Sequence, residues 1–298
     1  MMISIIIRTY NEEKYLEELL SSIRNQVTEN ISVETIIVDS GSNDRTLEIA
    51  KRYNCNIQHI KQEDFTFGYS LNVGCEAASG DFLVFVSGHC IPATTNWLIQ
   101  LCKPLITKQA DYVYGRQLSH EKTQFSEKQI FETNFPNESS IPQRSNFCNN
   151  ANAAMNKTLW KSLKFNESIS GLEDLDFAQR AQALGYQLGY QSKSSVFHIH
   201  EESWPQIQHR FRREAQALKQ IAFSSLSLTE AIYWFFLACI SDCEKALKAR
   251  SLLRNLAAIF KYRFHQFRGL YLGQCGATYK NIEPKRLYFW PYSINKER

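Results

Sequence analysis

Apolar and polar positions along the first 115 residues change period again and again. Residues 3–8 form a short, nearly unbroken apolar run, the pattern of a strand covered on both faces. Leu16, Leu19, Leu20 and Ile23 then recur at helical spacing, with Asn11 placed to cap that helix. Residues 33–39 read as a second strand ending at Ser40-Gly41-Ser42, and Asn43 or Asp44 opens a helix through Leu47, Ile49 and Ala50. A short strand over 56–60, a helix over 67–78, a buried strand over 81–86, a helix over 97–106 and a strand near Tyr112 continue the alternation. Strands and helices taking turns with short connections predict a largely parallel sheet covered by helices on both faces. Ligands of such sheets bind outside the carboxyl ends of the strands. Three polar clusters fall there: Arg8-Thr9-Tyr10-Asn11-Glu12, Asp39-Ser40-Gly41-Ser42-Asn43-Asp44 and Ser87-Gly88-His89-Cys90. Neither G-x-x-x-x-G-K-[ST] nor G-x-G-x-x-G occurs, which argues against nucleotide kinases and nicotinamide dehydrogenases.

Beyond residue 115 the pattern loosens. The stretch 120–147 is polar and irregular, contains Pro136 and Pro142, and reads as a mobile lid. Glu173-Asp174-Leu175-Asp176 reads as a helix start, where acids also suit the helix dipole. A strand lies near 194–197, and residues 204–221 and 228–267 look largely helical. The apolar run 231–240 is half the length of a spanning helix. From 245 to 273 there are seven Lys/Arg and no acid, interleaved with Leu252, Leu253, Leu256, Ile259, Phe260, Phe264 and Phe267. That pattern fits an interfacial helix drawn to anionic lipid, and equally a packed helix with a solvated basic face.

Composition narrows the class without naming it. The chain has 298 residues, 44% hydrophobic and 21% charged, which excludes a disordered protein, and 12 Gly with 7 Pro exclude a fibrous one. Its net charge of +4 conceals a split, because residues 1–200 carry −4 and residues 201–298 carry +8. Eight cysteines without a C-x-x-C pair point to reduced, mostly buried thiols in a cytosol-like compartment. Met1-Met2-Ile3-Ser4-Ile5 has no basic leader and reads as a strand rather than a signal segment.

Five blocks in order resemble the family 2 glycosyltransferases. They are Ile5-Ile6-Ile7-Arg8-Thr9-Tyr10-Asn11-Glu12-Glu13, Ile36-Ile37-Val38-Asp39-Ser40-Gly41-Ser42-Asn43-Asp44, Gly68-Tyr69-Ser70-Leu71-Asn72-Val73-Gly74, Ala78-Ser79-Gly80-Asp81 and Gly171-Leu172-Glu173-Asp174-Leu175-Asp176-Phe177. The resemblance implies the GT-A fold, an α/β architecture with a mixed central sheet and helices on both faces. It implies a catalytic domain over 1–215, with a nucleotide-binding half to about 115 and an acceptor half after it. Residues 216–298 would then form a basic helical extension. The nearest likeness is to bacterial builders of surface polysaccharide, rhamnosyltransferase-like members among them. The implied activity is inverting transfer of a sugar from a nucleoside-diphosphate donor to a saccharide or lipid-linked acceptor. Thr9, Tyr10, Glu12, Ser40, Asn72, Ser87 and His89 would line the nucleotide site, and Asp39 would accept a ring N–H of the base. Asp174 would be the catalytic base with Glu173 in support, and Asn150 and Asn152 would offer hydrogen bonds on the acceptor side.

The departure from the family pattern lies at Ser87-Gly88-His89, where related enzymes carry an acidic pair that holds a divalent metal. Two schemes therefore stay open. His89, joined by His198 and His200 on alternate positions of a strand, would hold Mg or Mn. Alternatively His198, His200, Arg212 and Arg213 would neutralise the diphosphate without metal. The competing function classes are a non-catalytic nucleotide- or glycan-binding relative and a membrane-surface assembly protein on the same fold. No nucleic-acid-binding motif is present. The expected location is the cytoplasm, with peripheral contact on the inner face of the membrane through about 231–273.

Overall fold

The computed structural model describes residues 1–28, 31–222 and 225–275. They form two compact units: 1–120, 135–169 and 173–199 make the first, and 121–134, 170–172 and 200 onward the second.

The first unit is built on β1 (Met2–Thr9), β2 (Ser32–Asp39), β3 (Asn56–His59), β4 (Phe82–Ser87), β5 (Cys90–Pro92), β6 (Tyr112–Ser119), β7 (Asn152–Asn156) and β8 (Leu188–His198). They form one sheet of order β3-β2-β1-β4-β7-β6-β8-β5. β1 pairs parallel with β2 and β4, and β2 with β3, whereas β7 runs antiparallel to β4 and β6. The sheet is therefore mixed. Its helices are α1 (Glu13–Arg24), α2 (Thr46–Arg52), α3 (Phe67–Ala77), α4 (Trp97–Ile106), α6 (Lys157–Leu163) and α7 (Glu173–Ala183). Ile3, Ile5 and Ile7 of β1 join Leu16, Leu19, Leu20 and Ile23 of α1 and Trp97 and Leu101 of α4 in one core. On the opposite face Phe165 packs against Phe85 of β4 and Phe177 of α7. Period-two strands sandwiched by helix stripes thus account for apolar runs that show no alternation.

The second unit holds α5 (Phe125–Asn134), α8 (Trp204–Ala222), α9 (Leu228–Lys248) and α10 (Leu252–Gln274). Segment 125–134, read as irregular lid, is a helix; Phe131 and Glu127 on it are buried. Ile207, Phe211 and Ala215 of α8 pack with Tyr262, Phe267 and Leu270 of α10. A Cβ at Gly273 would lie 2.3 Å from the Arg212 carbonyl oxygen, so only glycine permits this approach of α10 to α8. Arg263 of α10 forks onto Asp242 of α9, with N···O distances of 2.8 and 2.9 Å, and its third bond goes to Gln266. A box between Ser227 and Glu230 caps the start of α9. Among the described residues no helix is long and apolar enough to cross a membrane.

Candidate active site

The loops leaving β1 and β2 are joined by their own side chains. Asn11 takes a left-handed φ of 56°, its N–H donates to Ser42 Oγ at 2.9 Å, and its Oδ1 accepts the Asn43 N–H at 2.9 Å. It therefore does not cap α1; Glu12 is the cap position, and the Asn11 carboxamide is committed across the loops. The Glu12 N–H donates to Thr46 Oγ1 at 2.8 Å and the Glu13 N–H to Asp44 Oδ2 at 3.1 Å. Asp39, the last residue of β2, is buried within this seam. Its Oδ1 accepts from Thr9 Oγ1 at 3.0 Å and Ser42 Oγ at 2.5 Å. Its Oδ2 accepts the N–H groups of Gly41 and Ser42, each at 3.0 Å. Ser40 Oγ donates to the Thr9 carbonyl at 3.3 Å. The Tyr10 ring is 47% exposed, and its hydroxyl accepts from Gln62 at 3.2 Å.

A second cluster forms where α7 begins. Glu173 and Asp174 are both buried. Arg8, near the end of β1, pairs with Glu173 Oε1 at 3.1 Å, donates to the Phe67 carbonyl at 3.3 Å, and lies 4.8 Å over the Phe67 ring centroid. Asp174 accepts the N–H of Asn150 at 3.0 Å and of Leu175 at 2.8 Å. Burial, then the neighbouring Glu173 charge, pushes the Asp174 carboxyl up to about 7 against those hydrogen bonds and Arg8. Beside it the Asn150 Oδ1 accepts from Tyr112 at 2.7 Å, while its buried Nδ2 has no partner. An orphaned buried donor next to a carboxyl of raised pKa is a place for a ligand or an ordered water. Arg8 belongs to the first polar cluster, but the sequence signals its pairing with Glu173 only as a cation at the carboxyl end of a buried strand.

Two of the expected contacts are occupied within the protein. Asn72 donates to the Phe165 carbonyl at 3.0 Å and Glu167 at 2.8 Å, and accepts from Trp160 Nε1 and the Phe165 N–H, both at 3.0 Å. Its amide is saturated by the 160–167 segment. Asn152 likewise binds Trp97 Nε1 and the carbonyls of Arg116 and Ser194, tying the sheet together.

The histidines divide between the units. Ser87 ends β4 and His89 follows Gly88, where a Cβ would meet Glu12 Cγ at 2.9 Å. Glu12 thus lies over Gly88, and its Oε1 is 3.0 Å from His89 Nδ1. His198 ends β8, and its ring stacks on His89 with centroids 5.2 Å apart and 24° between planes. His198 Nδ1 is 2.6 Å from Gln117 Oε1, and the Gln117 amide is oriented by a 2.9 Å bond to Asn149. Both neighbours are oxygens that only accept, so in each imidazole Nδ1 is the donor of that bond. His200 departs from the strand expectation: β8 stops at His198, so His200 is not on an alternate strand position but begins the last segment of the second unit. There its Nδ1 is 2.8 Å from Glu127 Oε1. Arg210 Nη2 lies 2.7 Å from Glu127 and 2.7 Å from Glu202. Burial would raise the Glu127 carboxyl, yet the His200 and Arg210 charges bring it down to about 2. The oxygens and nitrogen of Glu127, His200 and Glu202 lie close enough to hold an ion, but the Arg210 guanidinium already serves as their cation. Arg212 of α8 is exposed, and Arg213 is half-buried near Gly171, both in the second unit.

Residues 4–163 match the family model described as glycosyl transferase family 2. The chain belongs to glycosyl transferase family 2. One relative is the O-antigen chain rhamnosyltransferase WbaN of Salmonella anatum, 28% identical over 209 residues and covering 66% of each chain. A shorter match is to the poly(ribitol-phosphate) beta-N-acetylglucosaminyltransferase TarS of Staphylococcus aureus, 36% identical over 90 residues, 29% of this chain and 16% of that one. The chain thus spans less than two thirds of these relatives' own lengths. The family fold is met again in solved structures. The mannosyltransferase PcManGT of Pyrobaculum calidifontis, in complex with GDP-Man and Mn2+, has a TM-score of 0.61 at 18% identity over 91% of this chain and 84% of that one. TarS 1–349 with UDP-GlcNAc has a TM-score of 0.56 at 20% identity over 90% of both chains. The family 2 chain described above therefore has the GT-A fold, a mixed sheet with helices on both faces and a helical extension.

Proposed function

We propose that this chain transfers a sugar, with inversion at the anomeric carbon, from a nucleoside-diphosphate donor to a saccharide or lipid-linked acceptor in bacterial surface-polysaccharide synthesis. The observation that carries the reading is Asp174: a buried carboxyl at the start of α7, beside an ion-paired Glu173, with its pKa pushed up to about 7. A base works best when its pKa lies near the working pH. Asp174 takes the proton of the acceptor hydroxyl as that oxygen attacks the anomeric carbon. The bond from that carbon to the donor's phosphate oxygen breaks, and its electron pair leaves with the diphosphate. A single base and a single displacement give inversion. Glu173, neutralised by Arg8, supports the base, and the Asn150 Nδ2 offers a donor to the acceptor.

Asp39 accepts the base's ring N–H by displacing one of the two hydroxyls, Thr9 or Ser42, that now fill its Oδ1. The exposed Tyr10 ring gives the base a stacking face, and Thr9, Glu12, Ser40, Ser87 and His89 complete the nucleotide site. Asn72 is assigned a positioning role through the 160–167 segment. Arg212 and Arg213 are candidates for the diphosphate, because guanidinium forks match phosphate oxygens. His89, His198 and His200 are the candidates for a divalent ion, and imidazole ligands suit Mn2+ better than Mg2+. Such an ion would supply positive charge to the leaving diphosphate. The same reading places the protein in the cytoplasm, in peripheral contact with the membrane's inner face through about 231–273.

A thermal-shift panel of uridine, thymidine and guanosine diphosphates and their sugars tests the donor site, since bound ligand raises the melting temperature by mass action. Uracil or thymine nucleotides are expected to raise it, and Asp39→Ala to remove the response. A protein indifferent to every nucleoside diphosphate contradicts the reading. Turnover lost in chelator and restored by Mn2+ more than Mg2+ supports the histidine metal site, whereas full turnover in chelator assigns the diphosphate to His198, His200, Arg212 and Arg213 without metal.

A further inference from the structure

α9 and α10 leave rows of large apolar side chains in water. On α9 the row is Leu228, Ile232, Phe236 and Ile240 at four-residue steps, continued by Leu247. On α10 it is Leu253, Leu256, Phe260 and Phe264, with Leu253 93% exposed. The rows meet: Phe236, Ile240, Leu247, Leu252 and Phe260, with Cys239 and Cys243 and a single acid, Glu244, line one open groove of about 330 Å³. A run of exposed cations borders them. Arg254, Lys261 and Arg268 recur every seven residues along α10, on one side of its apolar row, and Lys248 and Arg250 stand at the α9–α10 turn. No acid occurs between 245 and 275. An apolar stripe edged by a regular row of cations is the pattern of a helix lying in a lipid interface.

We infer that the α9–α10 hairpin is a docking surface for an anionic lipid bilayer, its apolar rows entering the headgroup–acyl boundary and its basic row meeting lipid phosphates. The inference rests on the proposed function for its setting, and deepens it by naming the surface and the lipid charge it requires. Charge complementarity selects the bilayer among the occupants that an apolar face can take. A second copy docked through a two-fold axis would bring two runs of Lys248, Arg250 and Arg254 into one interface, with Glu244 the single acid of the groove to offset them. The segment 276–298 carries five Lys/Arg against two Asp/Glu, so its charge also opposes this face. Anionic headgroups oppose neither, and each Lys/Arg near such a surface strengthens binding about five-fold.

The test is flotation of the full chain with phosphatidylcholine vesicles, pure or containing roughly a third phosphatidylglycerol, at low and high salt. Binding to the anionic vesicles alone, weakened by salt, is expected. Lys248→Gln/Arg250→Gln/Arg254→Gln is expected to weaken it about 100-fold, and Phe236→Ser/Phe260→Ser to abolish it. The three cations are exposed, so the Gln variant should melt near the wild type; Phe236 and Phe260 also pack on Phe235, so the Ser variant should melt lower and is compared at a temperature where it is folded. Equal binding to neutral vesicles, or no binding to either, overturns the inference. A concentration-dependent dimer lost in Phe236→Ser without vesicle binding assigns the face to a second copy. Vesicle binding that appears only after deletion of 276–298 assigns it to that segment. Donor hydrolysis, measured in the same samples with water as acceptor, separates the two readings: turnover without vesicle binding sinks only the lipid surface, and binding without turnover only the transferase.

Discussion

Replacing Asp174 by Asn removes the base and, by the same physics, changes how stability depends on pH. The Asp174 carboxyl is pushed from 3.8 up to about 7, first by burial and then by Glu173. A group whose pKa is raised on folding contributes fully below its unfolded value, and that contribution is lost as pH rises through the folded one. The loss therefore runs from about pH 4 to about pH 7 and, at about 1.4 kcal/mol per unit, totals about 4 kcal/mol above pH 8. Asn carries no charge at any pH. It does replace one accepting oxygen with a donor, which costs about 1 kcal/mol at the N–H of Asn150 or Leu175. Asp174→Asn should thus be about 1 kcal/mol less stable than wild type at pH 4 and about 3 kcal/mol more stable at pH 8. The two should cross between pH 4 and 5. Urea melts at pH 4, 6 and 8 measure this, alongside donor turnover, which should vanish while nucleotide binding persists. A variant equally destabilised at every pH would refute the buried-charge argument, and one that still turns over donor would remove Asp174 from the role of base.

Three further outcomes follow from the same geometry. Arg8→Gln leaves the Glu173 carboxylate buried without its partner, costing about 3 kcal/mol, and should move the acidic limb of kcat/KM toward higher pH. Arg8→Lys should return most of that shift, and an unmoved limb in Arg8→Gln would deny Arg8 this positioning role. Asn72→Ala strips partners from Trp160 Nε1 and the Phe165 N–H, so it should lower stability by about 3 kcal/mol with donor affinity within about two-fold of wild type. A large loss of affinity at unchanged stability would make Asn72 a nucleotide contact. Glu127, held at about 2, contributes stability that is present above its ordinary 4.5 and lost as pH falls through 2. Glu127→Gln should therefore cost about 3 kcal/mol at pH 7 and nothing near pH 2, measured by urea or thermal melts.

Local periodicity carried most of the first unit. Leu16, Leu19, Leu20 and Ile23 are spaced as a helix stripe and are all buried, and the run 3–8 lies in β1. Such signals are legible because each is set by neighbours within a turn or a strand. β5 leaves no signal in the sequence, because three residues ending in proline have no period to read. α5 reads as an irregular lid because its face is polar, yet Glu127 is buried by pairing with His200 and Arg210, 73 and 83 residues away. The same distance hid the Arg8 role, since Glu173 lies 165 residues further along the chain. His200 followed from extending strand alternation one step past the end of β8. Asn72 shows the opposite limit: its block marked the family, but not that its amide is spent on a segment 88 to 95 residues away.

The central claim is single displacement with Asp174 as base. Proton NMR of donor hydrolysis, with water as the acceptor, reads it without knowledge of the natural acceptor. With an α-linked nucleoside-diphosphate sugar, the first sugar released before mutarotation should be the β anomer, and Asp174→Asn should release none. Release of the α anomer, or equal release by the variant, would contradict the account.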